Sequence, residues 1–215
     1  MTMKSMVFDL ETIANPAMVE HLPEPKIDSR LRDPDKIKAQ REEKRQQQIE
    51  KMGLDKATAL ICCATVLDVE TKACKSIALD PETLNEKELL ESFWEIAYAY
   101  ERFVTFNGLW FDVPMLTFRS MVNEVMPAAK ISTARYQIAN HIDMRALLGG
   151  WDSRANGTLD FYARAILGEG KAGEVDGSFV QSMWDCGCVD EIAEYNAAEC
   201  QTMLKLYERM QHYYY

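Results

Sequence analysis

Several features that would point to familiar chemistry are missing from this 215-residue chain. Histidine is scarce, with three in all, and Cys186-Gly-Cys188 is accompanied by neither a C-x-x-C nor a paired histidine. A thiolate or imidazole metal clip is therefore disfavoured. The six cysteines (Cys62, Cys63, Cys74, Cys186, Cys188, Cys200) form no regular framework and sit mostly in apolar segments, as reduced cytosolic thiols do. No apolar run approaches the length of a membrane span, and the N-terminus lacks a charged-then-apolar signal layout. The expectation is a cytoplasmic chain with no membrane partner. Excess basic charge is missing too: the net charge is −10, which argues against gripping nucleic acid by bulk electrostatics. No internal repeat is visible.

What is present is ordinary globular material, 47% hydrophobic and 27% charged, in a length that suits one core with insertions. The charge is uneven. Residues 26–51 hold nine basic and six acidic side chains, leaving a body of −13 with a mildly basic arm. Asp33-Pro34-Asp35 reads as a helix start, and the polar stretch to about residue 52 as a solvated helix, an arm or a spacer, inserted at about 20–57.

Around it, 6–13 reads as a buried strand, and 58–68 with 71–79 as a hairpin pairing with it. Helical spacing over 84–100, a strand at 103–106, a helix at 113–122 and a short strand ending at Asp143 follow. A helix at 159–167 stops at Gly168, a Gly-rich loop covers 171–178, and a last helix runs from 189 to about 210. Three early strands followed by alternating helices and strands predict an α/β fold with a mixed sheet.

Three stretches carry chemistry. In Met6-Val7-Phe8-Asp9-Leu10-Glu11-Thr12 the two carboxylates are two apart on a strand and project to one face. Desolvated like charges repel, and a divalent cation with oxygen ligands is the economical explanation. A D-x-E on an edge strand ending at solvent is the plainer alternative. In Phe106-Asn107-Gly108-Leu109-Trp110-Phe111-Asp112 a strand ends, the chain turns, and Asp112 opens a helix. Capping alone would account for Asp112 but not for Asn107, Gly108 or the aromatic pair. In Glu194-Tyr195-Asn196-Ala197-Ala198-Glu199, Tyr195 and Glu199 share a helix face, with an exposed glutamate as the plainer alternative.

Together, the D-x-E strand, the N-G-x-x-F-D turn and the late Y-x-x-x-acid helix resemble the DEDD, or DnaQ-like, superfamily of 3′–5′ exonucleases, in its tyrosine-type branch. The closer resemblance is to predicted 3′–5′ exonucleases similar to the proofreading domain of B-type DNA polymerases. It includes His141-Ile142-Asp143, Thr158-Leu159-Asp160, Gly170-Lys171 and Asp176-Gly177-Ser178-Phe179-Val180, and so spans nearly the whole chain as one domain over 1–215. It implies a ribonuclease-H-like fold, a mixed central sheet flanked by helices. It also implies two divalent ions, Mg²⁺ or Mn²⁺, held by Asp9, Glu11, Asp112 and Glu199. Asp9 would bridge the ions, Glu11 and Glu199 would complete one site, and Asp112 would serve the other.

By the same resemblance Tyr195 would orient the attacking water, and Leu10, Thr12, Asn107 and Phe111 would hold the terminal nucleotide. The implied activity is release of nucleoside monophosphates from a free 3′ end, with single-stranded DNA as the first expectation. An exoribonuclease and a catalytically impaired binding or docking module are the alternatives. No polymerase or helicase segment is visible, so a proofreading role would call for a replication or repair partner. The sequence sets no oligomeric state. One departure stands out: the family's last acid is usually Asp, and here it is Glu199. Asp143 is left as a structural or nearby supporting acid, and His141 as a structural histidine.

Overall fold

The computed structural model describes residues 3–152, 154–155, 157–170 and 177–214. Five strands form one mixed sheet: β1 (Ser5–Ala14), β2 (Ala59–Asp68), β3 (Cys74–Ala78), β4 (Arg102–Thr105) and β5 (His141–Asp143), in the order β3-β2-β1-β4-β5. β2 runs antiparallel to β1 and β3, whereas β4 and β5 run parallel to β1 and to each other. Such a sheet needs helices on both faces. They are α1 (Pro34–Glu50), α2 (Glu86–Ala97), α3 (Asp112–Val122), α4 (Met144–Leu148), α5 (Leu159–Leu167), α6 (Val180–Asp185) and α7 (Val189–Tyr214). The fold is α/β and ribonuclease-H-like.

β1 is central, and its alternation feeds two cores. Met6, Phe8 and Leu10 pack with Leu90, Phe93 and Trp94 of α2 and Leu116 of α3. Val7 faces the other way, toward Met203, Leu206 and Tyr207 of α7. Asp9 and Glu11 continue the Val7 parity, so the strand aims them at the α7 side before its pairing with β2 shifts register between Glu11 and Thr12. A buried ion pair ties α2, α3 and β2 together. Arg119 donates to both carboxylate oxygens of Glu86, with a closest approach of 2.6 Å, and Glu86 also accepts from the Ile61 N–H at 2.8 Å and Asn123 at 2.7 Å. Every oxygen of the buried carboxylate is therefore engaged, which such a pair needs to be tolerated.

α1 follows from Asp33, whose side chain caps Asp35, and from Pro34 at its first position. None of its residues is buried. Instead Lys44, Arg45 and Gln48 hydrogen-bond carbonyls of Lys26, Leu22 and Pro23, folding the helix back on the chain that enters it. α5 ends at Gly168, whose φ of +79° is the left-handed conformation glycine supplies.

Several boundaries depart from the sequence reading. α2 starts at Glu86 because Leu84 turns at a φ of +50°. Phe106 lies outside β4, α7 continues to Tyr214, and the short helices α4 and α6 were not expected. Of the expected loop at 171–178, 171–176 (and with them Lys171 and Asp176) lie outside the described residues, and a 3-10 turn begins at Gly177. The cysteines among the described residues are all free, with Cys62, Cys63 and Cys200 buried.

Candidate active site

Three elements converge on one face of β1. Asp9 and Glu11 project from that strand and Glu199 from α7, and one carboxylate oxygen of each lies within 4.8 Å of the others. Among the described residues this is the group that could hold a metal ion; Cys186 and Cys188 take no part in it. All its donors are oxygens, which suits Mg²⁺ or Mn²⁺ better than Zn²⁺.

Asp112 stands at the start of α3, buried, with Oδ1 accepting the Leu10 N–H at 3.1 Å. The cap position of α3 is Phe111, which makes no side-chain capping bond. The carboxylate is thus turned toward β1 and docks the helix on the strand that carries the other acids.

This concentration of charge is electrostatically costly without a cation. Burial pushes the Asp9 carboxyl far above its ordinary value, and the charges of Asp112, Glu11 and Glu199 push the same way. Burial raises Asp112 to about 7, assisted by Asp143 and Glu199 and opposed by its own N–H and that of Leu10. Asn196 of α7 also resists the trend at Asp9. Fully buried, it donates Nδ2 to Asp9 Oδ2 at 2.9 Å and to Glu11 Oε1 at 3.3 Å. Its Oδ1 is buried and has no hydrogen-bond partner among the described residues. A divalent cation fits this donor set.

Tyr195 lies one turn before Glu199 and donates its hydroxyl to Glu199 Oε1 at 2.6 Å. Burial, and then the charge and hydrogen bond of Glu199, drive the phenol above its ordinary value, so it remains a donor and does not serve as a base.

The turn between β4 and α3 is held by Asp143. Its carboxylate accepts the N–H groups of Asn107 (3.0 Å), Leu109 (2.8 Å) and Ala146 (3.1 Å). These bonds hold Asn107 at a φ of +72°, and Gly108 lies so close to Thr105 that a Cβ would come within 2.4 Å of the threonine hydroxyl. Arg145 completes the turn, donating to Asn107 Oδ1 at 2.6 Å and to the carbonyl of Ala155 at 2.8 Å. His141 is a structural histidine: it bonds Thr105 Oγ1 and the Ser132 carbonyl, each at 2.8 Å, and burial lowers its pKa.

Of the residues suggested for the terminal nucleotide, Leu10 lies beside Asp112 on β1 and Phe111 is half-buried at the head of α3. The Thr12 hydroxyl donates to the Gly53 carbonyl at 2.6 Å, and the Asn107 side chain is engaged by Arg145. Asn196 and Arg145 were not singled out from the sequence. Asn196 had a readable signal: it falls four residues after Ile192 and four before Cys200, a polar residue in the buried stripe of α7. Arg145 had none, because its partners are two loop carbonyls and the side chain of Asn107, which no helical or strand period records.

A family model described as a predicted 3′–5′ exonuclease related to the exonuclease domain of PolB matches residues 50–214. The match includes Asp112, Tyr195 and Glu199 and begins after the strand with Asp9 and Glu11. DNA polymerase 1 of Sulfurisphaera ohwakuensis is 29% identical over 152 residues, covering 65% of this chain and 17% of the polymerase. The family B DNA polymerase of the archaeon Pyrobaculum calidifontis superposes with a TM-score of 0.67 at 12% identity, over 98% of this chain and 25% of the polymerase. The chain thus spans a quarter or less of each polymerase it matches, and the structural likeness speaks to the fold.

Proposed function

We propose that this chain, which belongs to the family of predicted 3′–5′ exonucleases related to the exonuclease domain of PolB, is a metal-dependent exonuclease that removes nucleoside monophosphates from the 3′ end of single-stranded DNA. One observation carries the reading: Glu11 of β1, Asp112 of α3 and Glu199 of α7 gather around half-buried Asp9, with the Tyr195 hydroxyl on Glu199. A lone structural carboxylate needs only a cap or an arginine; acids brought together from three elements repel one another, and a bound cation relieves that repulsion.

Asp9, Glu11 and Glu199, with Asp112 beside them, would hold the divalent ions. When bound, such ions generate the attacking hydroxide and stabilise charge on the leaving oxygen. The protein's own part is positional. Asn196 fixes the two β1 carboxylates relative to α7. Tyr195, a phenol held protonated, offers its O–H beside Glu199, where it orients a water without taking its proton. Asp143 and Arg145 fix the turn that presents Phe111 and Asp112, so the terminal base meets a preformed aromatic face. Glu199 in place of aspartate keeps a carboxylate within the trio.

The test is digestion of a 5′-labelled single-stranded oligonucleotide with Mg²⁺, Mn²⁺ or chelator. The expected result is a ladder shortening from the 3′ end with mononucleotide release, abolished by chelator. Binding without shortening would overturn the catalytic reading in favour of a binding module. Faster digestion of RNA than of DNA would reassign the substrate.

A further inference from the structure

Beside the acidic site the surface changes character. Trp110 is 45% exposed although it adjoins Phe111 and Asp112. On one side of it lies a groove of about 300 Å³ lined by Phe111, Pro114, Leu54 and Lys56. The Arg135 guanidinium sits 5.5 Å from the Trp110 ring and 5.6 Å from the ring of Tyr136, which is 69% exposed. Tyr136 in turn meets Trp151, with ring centroids 5.1 Å apart. The Arg135 side chain donates to the Trp151 carbonyl at 2.8 Å, pinning the group together. In a chain of net charge −10, this is a cation set against two aromatic rings, with a third beside them, at the edge of the candidate site.

The backbone also shows that the arrangement is imposed. Tyr136 and Trp151 both adopt a φ of +64°, a left-handed conformation that bulky residues avoid. A fold that needed only to bury these rings would not hold one of them at the surface in that conformation. Acids lie at the margin, Asp152 beside Trp151 and Asp55 in the groove, and Asp152 is paired with Arg154.

We propose that Trp110, Arg135, Tyr136 and Trp151 form a stacking platform for the unpaired bases of a nucleic-acid strand upstream of its 3′ end. Exposed rings stack on any base regardless of sequence, and a guanidinium between them meets the phosphates. Arg135 has five donors, which leaves capacity beyond its bond to Trp151. The strand would pass over Trp110 and place its last base against Phe111. The platform explains how an acidic protein holds an anionic polymer: by stacking close to the site rather than by its overall field. The inference rests on the exonuclease reading for the direction of the strand and on the platform geometry for the contact.

The experiment measures binding apart from turnover. Wild type, Trp110→Ala, Tyr136→Ala and Arg135→Gln are titrated, with Ca²⁺ in place of Mg²⁺, against 5′-labelled oligothymidylates of three and twelve nucleotides and a twelve-base-pair blunt duplex, read by fluorescence anisotropy. Circular dichroism checks that each variant is folded. Each substitution should weaken the single-stranded 12-mer about tenfold and the trimer less than twofold, with little effect on the duplex. Twelve-mer affinities within twofold of wild type, equal losses on trimer and 12-mer, or no binding by wild type would overturn the platform. A parallel digestion with Mg²⁺ separates the two readings. Strands bound through the platform but never shortened would sink the exonuclease reading alone; strands shortened while the variants bind like wild type would sink the platform alone. Oligouridylate in place of oligothymidylate tells an RNA strand from a DNA strand.

Discussion

At the scale of single residues the acids do more than their number suggests, because each raises the cost of ionising the next. Asp9→Ala should abolish hydrolysis, yet stabilise the metal-free protein slightly by removing one acid from a repelling group. A melt in chelator and a turnover assay in Mn²⁺ check both halves, and near-normal turnover would end the two-metal reading. Glu199→Gln keeps the shape and loses the charge. It should fall at least roughly 100-fold in rate, whereas Glu199→Asp should retain or raise activity. If the glutamine variant is fully active at low Mg²⁺, Glu199 is not a ligand. Tyr195→Phe removes the hydroxyl that reaches Glu199 and should slow turnover by roughly 10- to 1000-fold while leaving KM nearly unchanged. The D-x-E pair was readable because two acids in an apolar strand are anomalous. Asp143 was ambiguous because its role lies in three backbone N–H groups, two of them more than thirty residues away, and no local pattern records such partners.

At the scale of elements, legibility followed length and periodicity. β1, α3 and α5 carry their own signals: an apolar run, a proline in the first turn, a glycine stop. α4 and α6, at five and six residues, are too short for a 3.6-residue period to register. α1 was legible because no apolar stripe competes with its polar composition, and the absence of any buried residue in it predicts that it is dispensable for folding. Replacing residues 34–50 with a flexible linker should lower the melting midpoint by less than roughly 3 °C, since little buried surface is lost. If its basic residues meet phosphate, the salt dependence of oligonucleotide binding should flatten by about one slope unit per lost contact. An unchanged slope would make α1 a spacer. The opposite holds for the α2–α3 junction. Arg119→Met strands the Glu86 carboxylate in the core, with Asn123 and the Ile61 N–H left to satisfy it among the described residues. That change should cost about 3–5 kcal/mol in a denaturant titration, and less than 1 kcal/mol would show the pair to be peripheral.

At the scale of the molecule, the acidic body and the buried acids set a pH dependence opposite to that of ordinary surface carboxylates. An aspartate in the unfolded chain titrates near 3.9, whereas folded Asp112 titrates at about 7. Between those values the folded chain holds more protons than the unfolded one, so stability falls as pH rises and the penalty is complete above pH 7. His141 contributes the reverse slope: burial lowers its pKa, so folding gains as pH rises toward the ordinary value of 6.5. Asp112→Asn separates the two, because it deletes the Asp112 slope and keeps those of His141 and Asp9. In chelator, the melting midpoint of wild type should fall relative to Asp112→Asn by roughly 5 °C between pH 5.5 and 8, at roughly 2–4 °C per kcal/mol for a chain of this size. Saturating Mn²⁺ should erase the difference in slope by neutralising the carboxylates and stabilising the folded state by mass action. Parallel profiles for the two proteins in chelator would show that Asp112 ionises normally in the fold, and the electrostatic case for a cation at the acidic centre would lose its main support.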